Sequence, residues 1–205
     1  MRNIILTLCL LLTLIGGPAL AIEQPKFQTE SKDGRFELRR YAPYVVAEVE
    51  VSGDQGQAVQ AGFRKLAGYI FGGNQGRAKI AMTAPVAQAP KGEKIAMTAP
   101  VAQAPTAQGR WVVQFMMPSE RRLEDLPKPN DPDVRFRPVG PRRMAVVNFS
   151  GVARGGNYAE HARELQRWIT SRGLHSRGEP VLAQYDPPWT PWFMRRNEVQ
   201  IEVDP

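Results

Sequence analysis

The sequence predicts an α+β domain: two pseudo-repeated strand-strand-helix-strand-strand units forming an eight-stranded, mainly antiparallel barrel with two outer helices. Three observations carry this. Residues 36–53 and 134–151 align at an offset of 98 with six identities: Arg39/Arg137, Pro43/Pro141, Ala47/Ala145, Val49/Val147, Ser52/Ser150 and Gly53/Gly151. Each block alternates apolar and polar residues, as half-buried strands do. Each is followed by a stretch with helical apolar spacing. Neither unit can bury its apolar faces alone, so the two are expected to close on each other, with repeats spanning about 36–118 and 134–203.

The first element is a leader. Arg2 precedes an apolar run at residues 4–15, then Gly16, Gly17 and Pro18, then the small-residue site Ala19-Leu20-Ala21. This pattern is a secretory signal peptide cleaved near Ala21. The run falls short of the roughly 20 residues that span a bilayer. The expected organisation is residues 1–21 as signal peptide and 22–205 as one domain, periplasmic or secreted. The one cysteine, Cys9, lies in the leader, so the mature chain has no disulfide, thiolate ligand or cysteine nucleophile.

Residues 22–32 are polar and read as an irregular lead-in. Residues 36–41 and 44–51 read as strands joined at Ala42-Pro43. Residues 57–71 read as a helix, with Asp54 as N-cap and an apolar face of Val59, Phe63, Leu66, Ala67 and Ile70; Gly72-Gly73-Asn74 ends it. Then one phrase occurs twice: KIAMTAPVAQAP fills residues 79–90 and again 94–105. Its Ile, Thr and Val favour a short strand that stops or bends at proline. One copy is expected to be the structural strand, and the other an added hairpin arm or a loop. Residues 110–117 form a further strand, and 119–132, with three prolines, a connection. The second helix is expected from Tyr158 to Arg172, with Asn157 as N-cap, Glu160 at the capping-box position and Gly173 at the exit. Strands at 181–185 and 198–203 complete the chain.

The net charge is +7, and the basic residues come in scattered pairs such as Arg39-Arg40 and Arg195-Arg196. No long basic block appears, and an exported chain is not expected to bind nucleic acid. The balance suits an anionic small molecule or loose contact with anionic lipid. Motifs for metalloproteases, phosphate loops, dinucleotide folds and serine hydrolases are absent. His161 and Glu164 are three residues apart, a spacing that a surface helix explains without a metal. The methionines, Met82 and Met97 among them, suit either a core or a pliable apolar cleft. The loop after Tyr185 carries Trp189, Trp192 and Phe193, then Arg195 and Arg196. It reads equally as the mouth of a pocket for an apolar, carboxylate-bearing ligand and as a capped barrel end with solvated arginines.

Taken together, KIAMTAPV, RWVVQFMMP (110–118), GYIFGGN (68–74) and the ending YDPP…P…RRNEV (185–199) resemble the SOUL/haem-binding protein family, over roughly residues 27–203. With its leader, the chain is similar to an exported, bacterial member. The resemblance implies a distorted barrel of two units. It also implies reversible, non-covalent binding of haem or another tetrapyrrole in an apolar cleft beside the first helix, without catalysis. On that basis Val59, Phe63, Leu66 and Ile70 are expected as walls, and Arg64, Lys65 and Arg195 as propionate partners. Met97, Tyr185 and Trp189 complete the expected contacts. Neither His161 nor His175 falls in a shared motif, so the iron ligand is unassigned. The competing expectation is a binding module for another amphiphile or a protein partner.

Overall fold

The computed structural model describes residues 22–76, 92–106, 108–153, 155–187 and 189–205. The expected signal peptide and the first copy of the repeated phrase, with Met82, lie outside the described residues. The strands are β1 (Phe27–Asp33), β2 (Phe36–Tyr41), β3 (Tyr44–Val51), β4 (Asn74–Gln75), β5 (Val101–Pro105), β6 (Trp111–Met116), β7 (Lys128–Pro129), β8 (Arg135–Val139), β9 (Arg142–Phe149), β10 (Ser176–Gln184) and β11 (Asn197–Val203). The helices are α1 (Gln55–Ile70) and α2 (Gly155–Ser171).

Nine of these strands form one antiparallel sheet in the order β1-β2-β9-β11-β10-β5-β6-β3-β8; β4 and β7 pair separately. The expected eight-stranded barrel is not closed. Closure would need the free edge of β2, and β1 takes that edge from Phe27↔Tyr41 to Asp33↔Phe36. The segment expected to be an irregular lead-in thus contains an edge strand. All seven of its residues are exposed, so it lacks the alternation that would reveal it.

Alternation sorts the sheet into two faces. On one face α1 packs against β3 and β6 through Ala58, Leu66, Tyr69 and Ile70 on Ala47, Val49, Val113 and Phe115. Close approach needs Gly62, where a Cβ would lie 2.6 Å from a Val113 methyl. α2 packs on β9, β11 and β10 through Leu165, Trp168 and Ile169 on Ala145, Val147, Val199 and Ile201. The Asp54 carboxylate caps α1 by accepting from the Gln57 backbone N–H at 3.0 Å. α2 starts before the expected cap: Asn157 lies inside the helix and its amide donates to the Val152 carbonyl. Both helices end with paired backbone bonds around a positive-φ glycine, Gly72 (113°) and Gly173 (68°).

The second copy of the phrase behaves differently from expectation. Its Ile-Ala-Met-Thr part lies in no ladder; the strand begins after Pro100. Ile95 donates its N–H to the Ile70 carbonyl, and Thr98 donates its hydroxyl to the Met116 carbonyl. The residues just before this copy dock it. A Cβ on Gly92 would overlap the Gly72 carbonyl. Glu93 pairs with Arg121, and its N–H donates to Asn74 Oδ1. The corresponding residues before the first copy are Arg77 and Ala78, which offer neither a missing Cβ nor a carboxylate.

The opposite face is concave and polar at its centre. Glu198 on β11 is fully buried, and Arg39 on β2 is 2% exposed. Arg39 Nη1 donates to both Glu198 oxygens at 3.1 Å and Nε to Glu37 at 2.7 Å. Tyr185, Gln200 and Arg196 also donate to Glu198, each at 2.7 Å. Phe27 of β1 covers the Arg39 guanidinium at 4.3 Å. Across the hollow, Arg142 of β9 donates to the Tyr44 hydroxyl of β3. Burial pulls the Arg39 pKa down, but the Glu198 charge outweighs it and holds it above the ordinary value. Burial, reinforced by Glu198, pushes Tyr41 up to about 12.

Three outcomes follow. Gly92→Ala is expected to lower stability by about 1–3 kcal/mol in denaturant unfolding, through overlap with fixed backbone. Arg39→Met is expected to cost about 3–5 kcal/mol by the same measure, because it strands a buried carboxylate. The pH dependence has two limbs. Burial tends to raise the Glu37 pKa, but its bonds to Arg39 hold it below 4.5, and Arg143 lowers that of Glu30. Stability from these groups is present above pH 4.5 and lost as pH falls through their lowered values. The raised Tyr41 pKa acts oppositely: its contribution is present below pH 10.0 and lost as pH rises through about 12. Thermal melts across pH should therefore show a plateau with acid and alkaline declines, and Tyr41→Phe should make the alkaline one shallower, the raised Tyr185 keeping part of it.

Candidate functional site

The helices cover the two ends of the sheet and leave a seam over its middle. Under that seam lie β5 and β10, paired Leu182↔Gln103 and Gln184↔Val101. The seam holds a cleft of about 670 Å³, within the range of small-molecule sites. Its walls are apolar: Val59 and Phe63 from α1, Val101 from β5, and Val152 and Ala153 from the loop before α2. Its floor is amide-rich, with Gln103, Gln184 and Asn197, and its rim carries Asp54, Asp186 and Arg195.

Four long-range bonds fix this shape. Asn197 Nδ2 donates to the Gly151 carbonyl at 3.0 Å. Gly151 N–H donates to the Trp192 carbonyl, tying the aromatic loop to the same turn. Gly155 N–H donates to Gln55 Oε1 at 3.0 Å, linking the starts of the two helices. Gln103 Nε2 donates to Gln184 Oε1 at 3.0 Å along the floor.

Of the ten expected contact residues, the structure brings Val59, Phe63 and Arg195 to this cleft. Phe63 leans edge-on against Phe115, 5.3 Å between ring centres. Arg195 Nε donates to the Thr190 carbonyl. Leu66 and Ile70 are corrected from wall to core: at 0% and 1% exposure they face the sheet. One turn of α1 separates these roles, because its apolar arc is wider than the surface it covers. Lys65 is held by Asp131 at 2.9 Å and Asp133 at 2.7 Å in the connection before β8. Arg64 is exposed and Met97 is 41% exposed, neither in the lining. Tyr185 faces the opposite side of the sheet, donating to Glu198. Burial, with the Glu198 charge, raises its pKa well above 10.0. Trp189 is 83% exposed on its loop.

Sequence reasoning missed Gln55, Gln103, Gln184, Asn197, Val101 and the turn at Val152. A polar residue in a short strand has no periodicity that marks it as a cleft floor; in VAQAP, Gln103 stands between alanines. Among the described residues no three His, Cys, Asp or Glu could hold a metal ion. None of the described lining residues is a His, Cys, Met or Tyr. The cleft is lined mainly by apolar side chains with Arg195 at its edge, and among the described residues its lining offers no soft or imidazole ligand to an iron.

Comparison with known proteins places this architecture. Heme-binding protein 2 of Mus musculus is 27% identical over 201 residues, covering 91% of this chain and 93% of that protein. Heme-binding protein 1 of Xenopus tropicalis is 29% identical over 170 residues, covering 82% and 84%. Among solved structures, the EcmrR C-terminal domain superposes with a TM-score of 0.60 at 10% identity, over 87% of this chain and 98% of that one. A hydrolase from Listeria innocua gives 0.54 at 12%, over 85% and 94%. At such identities these two structures speak to the fold alone. A family model, that of the SOUL heme-binding protein, matches residues 22–202. The chain belongs to the SOUL heme-binding protein family.

Proposed function

We propose that this protein binds haem or a related tetrapyrrole reversibly and without covalent attachment, in the cleft between α1 and the central strands, and that it acts outside the cytoplasm as a carrier rather than an enzyme. The observation that carries the reading is the match of the SOUL heme-binding model to residues 22–202, on a chain whose apolar cleft has an arginine at its rim. The ring would lie against Val59 and Phe63, with a propionate toward Arg195. The leader sequence supports export, with the mature chain starting after Ala21 as one domain.

The proposal includes two related units in the fold. With β1 set aside, the strand order reads alike from either side of the β10–β5 pair. Gly53 and Gly151, 98 residues apart, both adopt positive φ, 114° and 109°. It also includes loose contact with anionic lipid. In support, Trp189, Trp192, Phe193 and Met194 are each at least 60% exposed beside Arg195 and Arg196.

Haemin titration of the mature protein is expected to give a saturable Soret change with a Kd in the micromolar range, roughly −8 kcal/mol. Phe63→Ala is expected to weaken binding about tenfold while far-UV circular dichroism is unchanged. A linear, unsaturable response would remove the proposal.

A further inference from the structure

We infer that the cleft takes up its ligand from a lipid bilayer by direct contact, with the aromatic loop between β10 and β11 as the part that enters the membrane surface. The inference rests on the tetrapyrrole and lipid-contact readings above and names the phase from which the ligand comes. Trp189, Trp192, Phe193 and Met194 are 83%, 61%, 60% and 65% exposed. Large apolar side chains gathered in one short loop and turned to water mark a contact surface. The loop is held in shape by its own bonds. Thr190 N–H donates to the Pro187 carbonyl, Met194 N–H to the Pro191 carbonyl and Arg195 Nε to the Thr190 carbonyl. Its base is closed by Tyr185 N–H on the Arg196 carbonyl and by Arg196 N–H on the Asp186 carboxylate. A loop already fixed loses little conformational freedom on docking.

The patch borders the cleft. Asp186 and Arg195, near the two ends of the loop, both line it. Gly151 N–H donates to the Trp192 carbonyl, and the next residue, Val152, is 46% exposed and belongs to the cleft wall. Exposed apolar side chains thus stand on the loop, at Val152 beside it and on the wall itself. Charge selects a bilayer as the partner. Residues 187–197 hold Arg195 and Arg196 and no acidic residue, on a chain of net charge +7. Arg196 pairs with Glu198 yet keeps 41% of its side chain exposed. Basic residues beside an apolar tip suit anionic headgroups, and tryptophan rings settle at the boundary between lipid and water. A tetrapyrrole is itself an apolar body with carboxylates at one edge, so it concentrates in the same boundary.

Stopped-flow transfer of haemin to the mature chain tests this, from preloaded vesicles of equal parts phosphatidylcholine and phosphatidylglycerol. Transfer through water is limited by release from the vesicle, so its rate does not change with protein concentration; transfer by contact rises with it. The natural chain is expected to show a rate proportional to protein concentration. Trp192→Ser, Phe193→Ser and Met194→Ser combined should lower that rate at least about tenfold. Haemin affinity in vesicle-free buffer should stay within about twofold, because none of the three lines the cleft. A rate independent of protein concentration overturns the inference, as does unchanged transfer by the triple variant. An equal loss of vesicle-free affinity would make the loop part of the cleft and overturns it too. So does failure of the natural chain to sediment with the vesicles, which leaves the patch to a protein partner. Absence of saturable haemin binding in vesicle-free buffer overturns the function it rests on instead.

Discussion

Two helices of sixteen and seventeen residues must shield one face of a nine-stranded sheet, and each reaches only the strands nearest it. α1 takes β3 and β6; α2 takes β9, β11 and the near part of β10. Between them, Val101 and Gln103 of β5 and Gln184 at the end of β10 line the seam that the helices leave. The cleft follows from this shortfall in cover. Its walls are the helix shoulders that overhang the seam, which is why Val59 and Phe63 are partly exposed while Leu66, one turn on, is fully buried. An apolar ligand laid in the seam would complete the burial that the helices leave unfinished.

The other face solves a different problem. It is filled with long polar side chains that satisfy one another. Glu198 accepts from Arg39 of β2, Gln200 of β11, Arg196 just before β11 and Tyr185 just after β10. Such a cluster adds little net stability over apolar packing of the same shape, yet breaking it is expensive. Its consequence is geometric. It fixes β2 against β11 across β9, and Arg196 sits at the base of the loop whose next residue back, Arg195, rims the cleft. The polar hollow and the cleft are thus joined through two adjacent arginines whose side chains serve opposite sides of the sheet.

What could be read beforehand tracks what is local. β2, β3 and the Asp54 cap of α1 match the expected positions, because alternation and capping act within a few residues. β1 was hidden because an edge strand with no buried face has no pattern. The start of α2 was misplaced because it depends on Gln55, a hundred residues earlier, holding the Gly155 N–H. In the site, helical spacing pointed to the α1 residues but could not separate the face on the sheet from the shoulder above the cleft. Val59 and Leu66 belong to the same apolar arc, and only the neighbouring strands decide which is wall and which is core. Lys65 looked free to meet a propionate until Asp131 and Asp133 of a distant connection closed on it.

The repeated phrase joins these threads. In composition it reads as a strand ending at proline, yet its two halves do separate work. Ile95 to Thr98 pins the chain to the end of α1 and to β6, through backbone and hydroxyl bonds to Ile70 and Met116. Val101 to Pro105 then supplies β5 and, with Gln103, the polar point of the cleft floor. Twelve identical residues can make the same ladder contacts in either copy, so the ladder itself cannot choose between them. The residues just before the second copy are what differ: Gly92 fits against Gly72 where a side chain would not, and Glu93 reaches Asn74 and Arg121. Gly92 and Glu93 thus seat the second copy, whose last residues form β5 beside the cleft.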